Sequence, residues 1–437
     1  MVRNVASLGA MRVKAAGQPE ECPAPVRHRK VFYIPGFDPA PPRRYRELYR
    51  KEAKAQAIIS GYAIEVGGRN SGQGFGWHVT AIMGGHEVRS EFEVLVWSDI
   101  VRASMGAGVF ATYWQLVRTA WVYIASGALF RLARLRKGPV IAALYPIVVL
   151  LAQLGLAALA FWLVGQLAYF GLGWVRDAIY GPSLFGLWFF PIIYLSISAG
   201  ILAAILMLRW FKRNDARIFA YYLMHDYAFT AQFWGAYPAE LEARLTLFRG
   251  AIEKALQGGY DEVLIVGHSS GAHLAVSVLA DILRAGSPSA TLGFLSLGQV
   301  VPMVSFLPKA QRLRDDLHFL SLQQGLTWVD VTAPGDGCSF ALCDPVAVSG
   351  GAAPGKRWPL VISAAFTQTL SPARWKALRW RFFRLHFQYL CAFDRPRNYD
   401  YFAITAGPQT LAARYAGCAP SKSRIETPMS AYTSRIT

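Results

Sequence analysis

The sequence predicts an α/β protein: a mostly parallel sheet flanked by helices and interrupted by a two-helix transmembrane insertion. Three observations carry this. Strand-like and helix-like runs alternate through the second half of the chain, which implies parallel strands covered on both faces. Residues 138–175 and 178–208 contain no Asp, Glu, Lys or Arg. Beyond those runs lies Val263-Leu264-Ile265-Val266-Gly267-His268-Ser269-Ser270-Gly271, an apolar strand running through G-x-S-x-G into a helix.

Taken in order, residues 1–28 are polar and basic with no apolar core of a signal peptide, and they read as a disordered tail. Residues 29–105 form a first soluble block. Val31-Phe32-Tyr33-Ile34 is a buried strand broken by Pro35-Gly36. Residues 41–60 suit a helix, and the runs 77–83 and 87–97 flank Gly84-Gly85 as a hairpin. Residues 106–217 form a membrane-associated insertion, with spanning helices near 140–173 and 183–208. A bilayer core needs about 20 apolar helical residues, and core helices of soluble domains rarely lack charge for so long. The segment 106–130 is apolar but interrupted by Arg118, and reads as a third membrane element or an interfacial helix. Arg131, Arg134, Arg136 and Lys137 precede the hairpin, and Arg209, Lys212, Arg213 and Arg217 follow it. The positive-inside rule puts both flanks in the cytoplasm, so the two soluble blocks can form one split domain.

Residues 218–412 make the second block. Leu241, Leu245, Phe248, Ile252 and Leu256 recur at helical spacing, ended by Gly258-Gly259. Strands follow at 261–266, 292–297, 327–332 and 359–366, with helices at 272–285 and 311–324. Arg374 to Arg384 mixes basic and aromatic residues, as in an interfacial helix or one with a single core face. Residues 413–437 read as a second disordered tail.

Composition agrees with this division. Apolar residues make up 54% and charged residues 16%, against roughly 25% charged in soluble domains. The net charge of +18 suits an anionic membrane surface, since the basic residues crowd the ends of the apolar segments. With no zinc-finger spacing and no aromatic RNA-binding motif, no nucleic-acid partner is expected. The five cysteines, Cys22, Cys338, Cys343, Cys391 and Cys418, are odd in number and lack C-x-x-C spacing. They read as reduced thiols of a cytoplasmic domain, neither a disulfide framework nor a metal site.

The spacing of G-x-S-x-G has a chemical reason. A sharp strand-to-helix turn leaves Ser269 strained and exposed, and glycines two residues either side let backbones pass closely. The helix that follows brings its positive end to a developing oxyanion. With the strand before and the helix after, these residues resemble the nucleophile elbow of the α/β-hydrolase superfamily, over about 29–99 and 239–401. That resemblance implies a Ser, Asp or Glu, His order along the chain and an oxyanion hole. One donor would be the Ser270 amide. The other would come from the loop Ile34-Pro35-Gly36-Phe37-Asp38, with Phe37 as the donor, although Pro-Gly stands where the family often has His-Gly. The acid would follow a later strand: Asp336 lies in the turn beyond 327–332, Asp330 inside the strand, and Asp344 farther on. His386 is the only histidine after Asp336. The implied activity is two-step acyl transfer on a carboxylic ester or thioester, lipid-like ones included, with Ser269, His386 and Asp336 as the triad. It needs no metal or cofactor. Its partners would be membrane lipids and a small-molecule acyl substrate. The rival is a non-catalytic membrane scaffold or regulator on a degenerate version of the fold.

Overall fold

Side chains alternate across a strand, and the first strand sorts its neighbours accordingly. In the computed structural model, which describes residues 24–68, 74–105, 108–181, 185–286 and 290–435, that strand is β1 (His28–Ile34). Val31 and Tyr33 face one layer of the core, with Tyr45, Tyr49 and Ala53 of α1 (Arg43–Ser60) and Tyr401 and Phe402 near the C-terminus. Phe32 and Ile34 face the other layer, with Leu241, Leu245, Phe248 and Ile252. Both faces of the sheet are therefore covered.

Among the described residues the sheet has eight strands. After β1 come β2 (Ala63–Gly68), β3 (Phe75–Met83) and β4 (His86–Val94). The chain continues through α2 (Ser98–Met105), α3 (Val109–Ala125), α4 (Ala128–Leu135), α5 (Lys137–Tyr180), α6 (Phe185–Arg213), α7 (Asp215–Ile218), α8 (Ala220–Ala231) and α9 (Ala239–Leu256). Then follow β5 (Glu262–His268), α10 (Gly271–Ala285), β6 (Thr291–Leu297), α11 (Val301–Ser305), α12 (Gln311–Ser321), β7 (Thr327–Thr332), α13 (Pro345–Val348) and β8 (Leu360–Ser363). The strand order is β2-β3-β4-β1-β5-β6-β7-β8, parallel throughout except where β3 runs against both of its neighbours. The two soluble blocks share this sheet, because β1 pairs with β5 in parallel register, Val31 opposite Leu264.

The insertion between them carries α5 and α6, each long and apolar enough to cross a membrane. Only 17% of the most apolar stretch of either helix is buried against protein, whereas the core helix of a soluble domain is mostly buried. They pack as a hairpin. A Cβ at Gly200 would lie 2.6 Å from the Phe161 carbonyl oxygen, so a small residue there permits the close approach.

Several expectations are corrected. Strand β2 was not anticipated; it is a largely exposed edge strand ending in Gly67-Gly68, with little apolar alternation to reveal it. The basic, aromatic stretch after Arg374 is not one helix: helices at Pro372–Leu378 and Phe382–His386 are separated at Arg379–Arg381. The tail assigned to 1–28 lies outside the described residues up to 23, but Val26 is buried and its amide donates to the Pro408 carbonyl at 2.8 Å. The C-terminal stretch is not a tail either. Ile425 exchanges backbone hydrogen bonds with Leu342 (2.7 Å) and Asp344 (2.9 Å), and the Met429 amide donates to Val348 (3.0 Å). This segment is held by backbone pairing, which a sparse apolar pattern does not advertise.

Candidate active site

The carboxyl ends of the parallel strands converge on one edge of the sheet, the usual place for a site in such folds. Strand β5 is buried along its whole length and delivers Ser269 directly into α10. Ser269 has φ 56°, a left-handed conformation that costs an L-residue roughly 1–2 kcal/mol. The turn is held by the Ser269 amide donating to Leu297 (2.9 Å) and the Ala272 amide donating to Ser269 (3.1 Å). The flanking glycines are steric necessities. A Cβ at Gly267 would lie 2.8 Å from the Ala272 Cα, and one at Gly271 only 2.2 Å from the Ile34 oxygen.

The loop after β1 lies on the serine. A Cβ at Gly36 would come within 2.9 Å of the Ser269 Cβ and 3.4 Å of its Oγ. Trp97 Nε1 donates to the Pro35 carbonyl at 2.9 Å, and the Tyr222 hydroxyl donates to the Phe37 carbonyl. The Asp38 carboxylate accepts from the Tyr45 hydroxyl (2.8 Å) and the Ala40 amide (2.9 Å). Its carbonyls and carboxylate are thus tied to Trp97, Tyr222 and Tyr45. Among the described residues, neither the Phe37 amide nor the Ser270 amide donates to a protein acceptor.

Of the three aspartates considered, Asp336 is the one that touches His386: Nδ1 and Oδ2 are 2.8 Å apart in a buried pair. Burial works to raise the Asp336 carboxyl. The His386 charge and hydrogen bond, with the Cys338 amide, overcome it and hold the carboxyl below its ordinary value. The Tyr389 hydroxyl also donates to Asp336 Oδ2 (3.0 Å) while accepting from the Ala333 amide (2.9 Å). Asp330 points elsewhere, accepting from the Ser296 hydroxyl at 2.5 Å, and burial pushes its carboxyl up to about 8. Asp344 caps α13 through the Val346 and Ala347 amides and pairs with Lys356.

His386 lies beside the elbow. Its carbonyl is 3.0 Å from His268 Nε2, and the two rings are 4.8 Å apart. A Cβ at Gly298, next to the residue that binds the Ser269 amide, would come 3.1 Å from His386 Cε1. Ser269 Oγ and His386 form no hydrogen bond among the described residues; such contacts often close only around a substrate. His268 is buried, which drives its imidazole down to about 3 and keeps it neutral.

Two features were not legible in the sequence. Helix α8, which follows the apolar hairpin, walls the site with Tyr222 and Asp226. Asp226 is half-buried, and desolvation raises its carboxyl to about 7 against the opposing pull of the nearby His386. Tyr389 is the other. Neither belongs to a motif, and only folding brings them to the serine. Asp336, Cys338 and His386 also place three ligand atoms within 4.8 Å of one another. The direct Asp336–His386 hydrogen bond engages the facing nitrogen and oxygen, and burial raises the Cys338 thiol well above its ordinary value. In the structure the set is a hydrogen-bonded Asp336–His386 pair beside the Cys338 thiol. Cys338, Cys343, Cys391 and Cys418 are free thiols. Comparison with protein-family models, with curated proteins and with solved structures finds no match.

Proposed function

We propose that this chain is a membrane-anchored serine hydrolase of the α/β-hydrolase type, cleaving a carboxylic ester or thioester. The observation that carries the reading is the strained Ser269 at the end of β5 with the buried His386–Asp336 pair, 2.8 Å across, beside it. In the proposed reaction Ser269 Oγ attacks the acyl carbonyl while His386 Nε2 takes its proton. Asp336 holds the imidazole by Nδ1 and stabilises its charged form. The Phe37 and Ser270 amides receive the oxyanion, helped by the positive end of α10. His386 then protonates the departing alcohol or thiol, and water releases the acyl group by the same route in reverse. No step calls for a metal or cofactor.

Anchoring is proposed through α5 and α6 as a spanning hairpin. The basic residues on its outer flanks favour a cytoplasmic site, with both soluble blocks on that side.

A fluorophosphonate probe tests the chemistry on the purified full chain in lipid nanodiscs. The parent should label and hydrolyse a short-chain ester, and Ser269→Ala should do neither while melting within a few degrees of the parent. A parent that is folded but inert to the probe would support the scaffold reading instead.

A further inference from the structure

Helix α3 leaves an apolar stripe uncovered. Phe110, Trp114, Val117, Trp121 and Ile124 are 85%, 64%, 57%, 65% and 50% exposed, and their spacing of four and three residues puts them on one face. The opposite face is occupied by protein: Thr112, Leu116, Thr119 and Val122 are buried, and the Tyr113 and Tyr123 hydroxyls donate to Leu150 and Met303, each at 3.0 Å. The one charged side chain of α3, Arg118, donates to the Gln232 carbonyl.

The helix adjoins the apolar hairpin, since Tyr113 hydrogen-bonds to Leu150 of α5 and Leu116 packs with the same residue. Helix α5 has 44 residues and is roughly 66 Å long, about twice the hydrocarbon thickness of a bilayer. Its buried residues, Pro139, Val140, Pro146, Leu150, Gln153 and Ala157, all fall in its first half. The remaining residues, 158–180, suffice to span. With 158–180 spanning, the first half emerges from the membrane beside α3, and it exposes Ile141, Tyr145, Val148 and Leu151. Two adjacent helices expose apolar and aromatic faces at that level, and Arg131, Arg134, Arg136 and Lys137 adjoin them, which suits the acyl-headgroup boundary of an anionic leaflet.

The same helices reach the candidate active site. A Cβ at Gly138, near the start of α5, would lie 3.3 Å from the carbonyl oxygen of Gly337, the neighbour of Asp336. Leu116 of α3 packs with Met224 and Ala228 of α8, the helix that carries Tyr222 and Asp226.

We infer that the exposed stripe of α3 is covered by lipid acyl chains, so that α3 and the first half of α5 seat the site on the leaflet. Its substrate is then an acyl ester drawn from the bilayer. The substrate part rests on the hydrolase reading; the placement of α3 does not.

Single cysteines carrying an environment-sensitive fluorophore, introduced as Trp114→Cys, Trp121→Cys, Leu202→Cys on α6 and Leu247→Cys on α9, separate the two parts in nanodiscs of phosphatidylcholine and phosphatidylglycerol. Positions 114 and 121 should be quenched by spin-labelled lipid, as position 202 is, and position 247 by aqueous iodide. Iodide quenching at 114 and 121 with lipid quenching at 202 overturns the inference and leaves the anchor standing. Shielding of 114 and 121 from both quenchers overturns it in favour of a protein interface. Iodide quenching at 202 overturns the spanning hairpin itself. For the substrate, the double variant Trp114→Asp, Trp121→Asp should hydrolyse phospholipid in vesicles at least 10-fold more slowly than the parent and react with fluorophosphonate at the parent rate. Unchanged vesicle hydrolysis, or an equal loss in both assays, overturns the substrate assignment. A parent that labels but leaves the phospholipid intact overturns it as well.

Discussion

At the scale of single residues, the environments of two carboxylates separate their behaviour. Asp336 is kept ionised by His386 and by donors from Cys338 and Tyr389, the condition for orienting an imidazole. Replacing it by Asn keeps the shape but permits the wrong imidazole tautomer, so Asp336→Asn should lower kcat by roughly 10³ to 10⁴ with little change in melting. Steady-state kinetics on a short-chain ester checks this, and a loss below about 10-fold would remove Asp336 from the proposed triad. Asp226 is shifted the other way, up to about 7 by burial. Its neutral form dominates below that value, and as the pH rises a negative charge grows beside Ser270, whose amide is proposed to hold an oxyanion. The ratio of Asp226→Asn to parent activity should therefore be near one at about pH 5 and climb as the pH passes 7. The linkage has the same sign. A carboxyl raised on folding contributes stability that is complete below about pH 4 and lost as the pH rises through its folded value. The melting advantage of Asp226→Asn should grow between pH 5 and 8, and a pH-independent ratio together with a constant melting difference would contradict the assignment.

At the scale of elements, the site depends on segments distant in the chain. The loop after β1 is clamped by Trp97 and by Tyr222 of α8, so a helix from beyond the insertion positions a proposed oxyanion donor from before it. The C-terminal stretch acts similarly. Ile425 pairs with the chain around Leu342 and Asp344, and the Ser434 carbonyl accepts from the buried Arg314 at 2.9 Å. At about 1 kcal/mol per net hydrogen bond, ending the chain after Ala419 should cost a few kcal/mol. Thermal melts of the truncated chain should show a clear drop, while one that melts with the parent would mean the pairing contributes nothing.

At the scale of the whole molecule, a single sheet built from both sides of an apolar hairpin constrains topology, because β1 and β5 are hydrogen-bonded neighbours. The two blocks must share a compartment whichever way a spanning hairpin would insert, and the basic flanks are what supports the proposed cytoplasmic orientation. Cysteines placed at the exposed positions Lys51 and Glu240 should react with an impermeant reagent in inverted vesicles and stay protected in intact cells. Labelling from opposite sides would be incompatible with one sheet, and labelling of both in intact cells would reverse the proposed orientation.

The sequence by itself determined the features that rest on local pattern. The charge-free runs, the apolar β5 and the steric demand for glycine at 267, which faces Ala272, are all written in contiguous residues, as is the position of Ser269; the demand at 271 comes from the distant Ile34. The fold class followed, because alternating strands and helices leave few ways to bury both faces of a sheet. Asp336 and His386 were reachable only as candidates ordered along the chain, with Asp330 and Asp344 still open. The tertiary structure decided what depends on distance between remote segments: that Asp336 meets His386, that Asp330 instead meets Ser296, that Tyr389 and Asp226 stand at the site, and that the C-terminal stretch is packed. The physical reason is the range of the forces involved. Periodicity and turn sterics act within a few residues and leave a mark on them. A hydrogen bond between residues fifty apart, or a carboxyl raised by burial, exists only once the core has excluded water and fixed both partners.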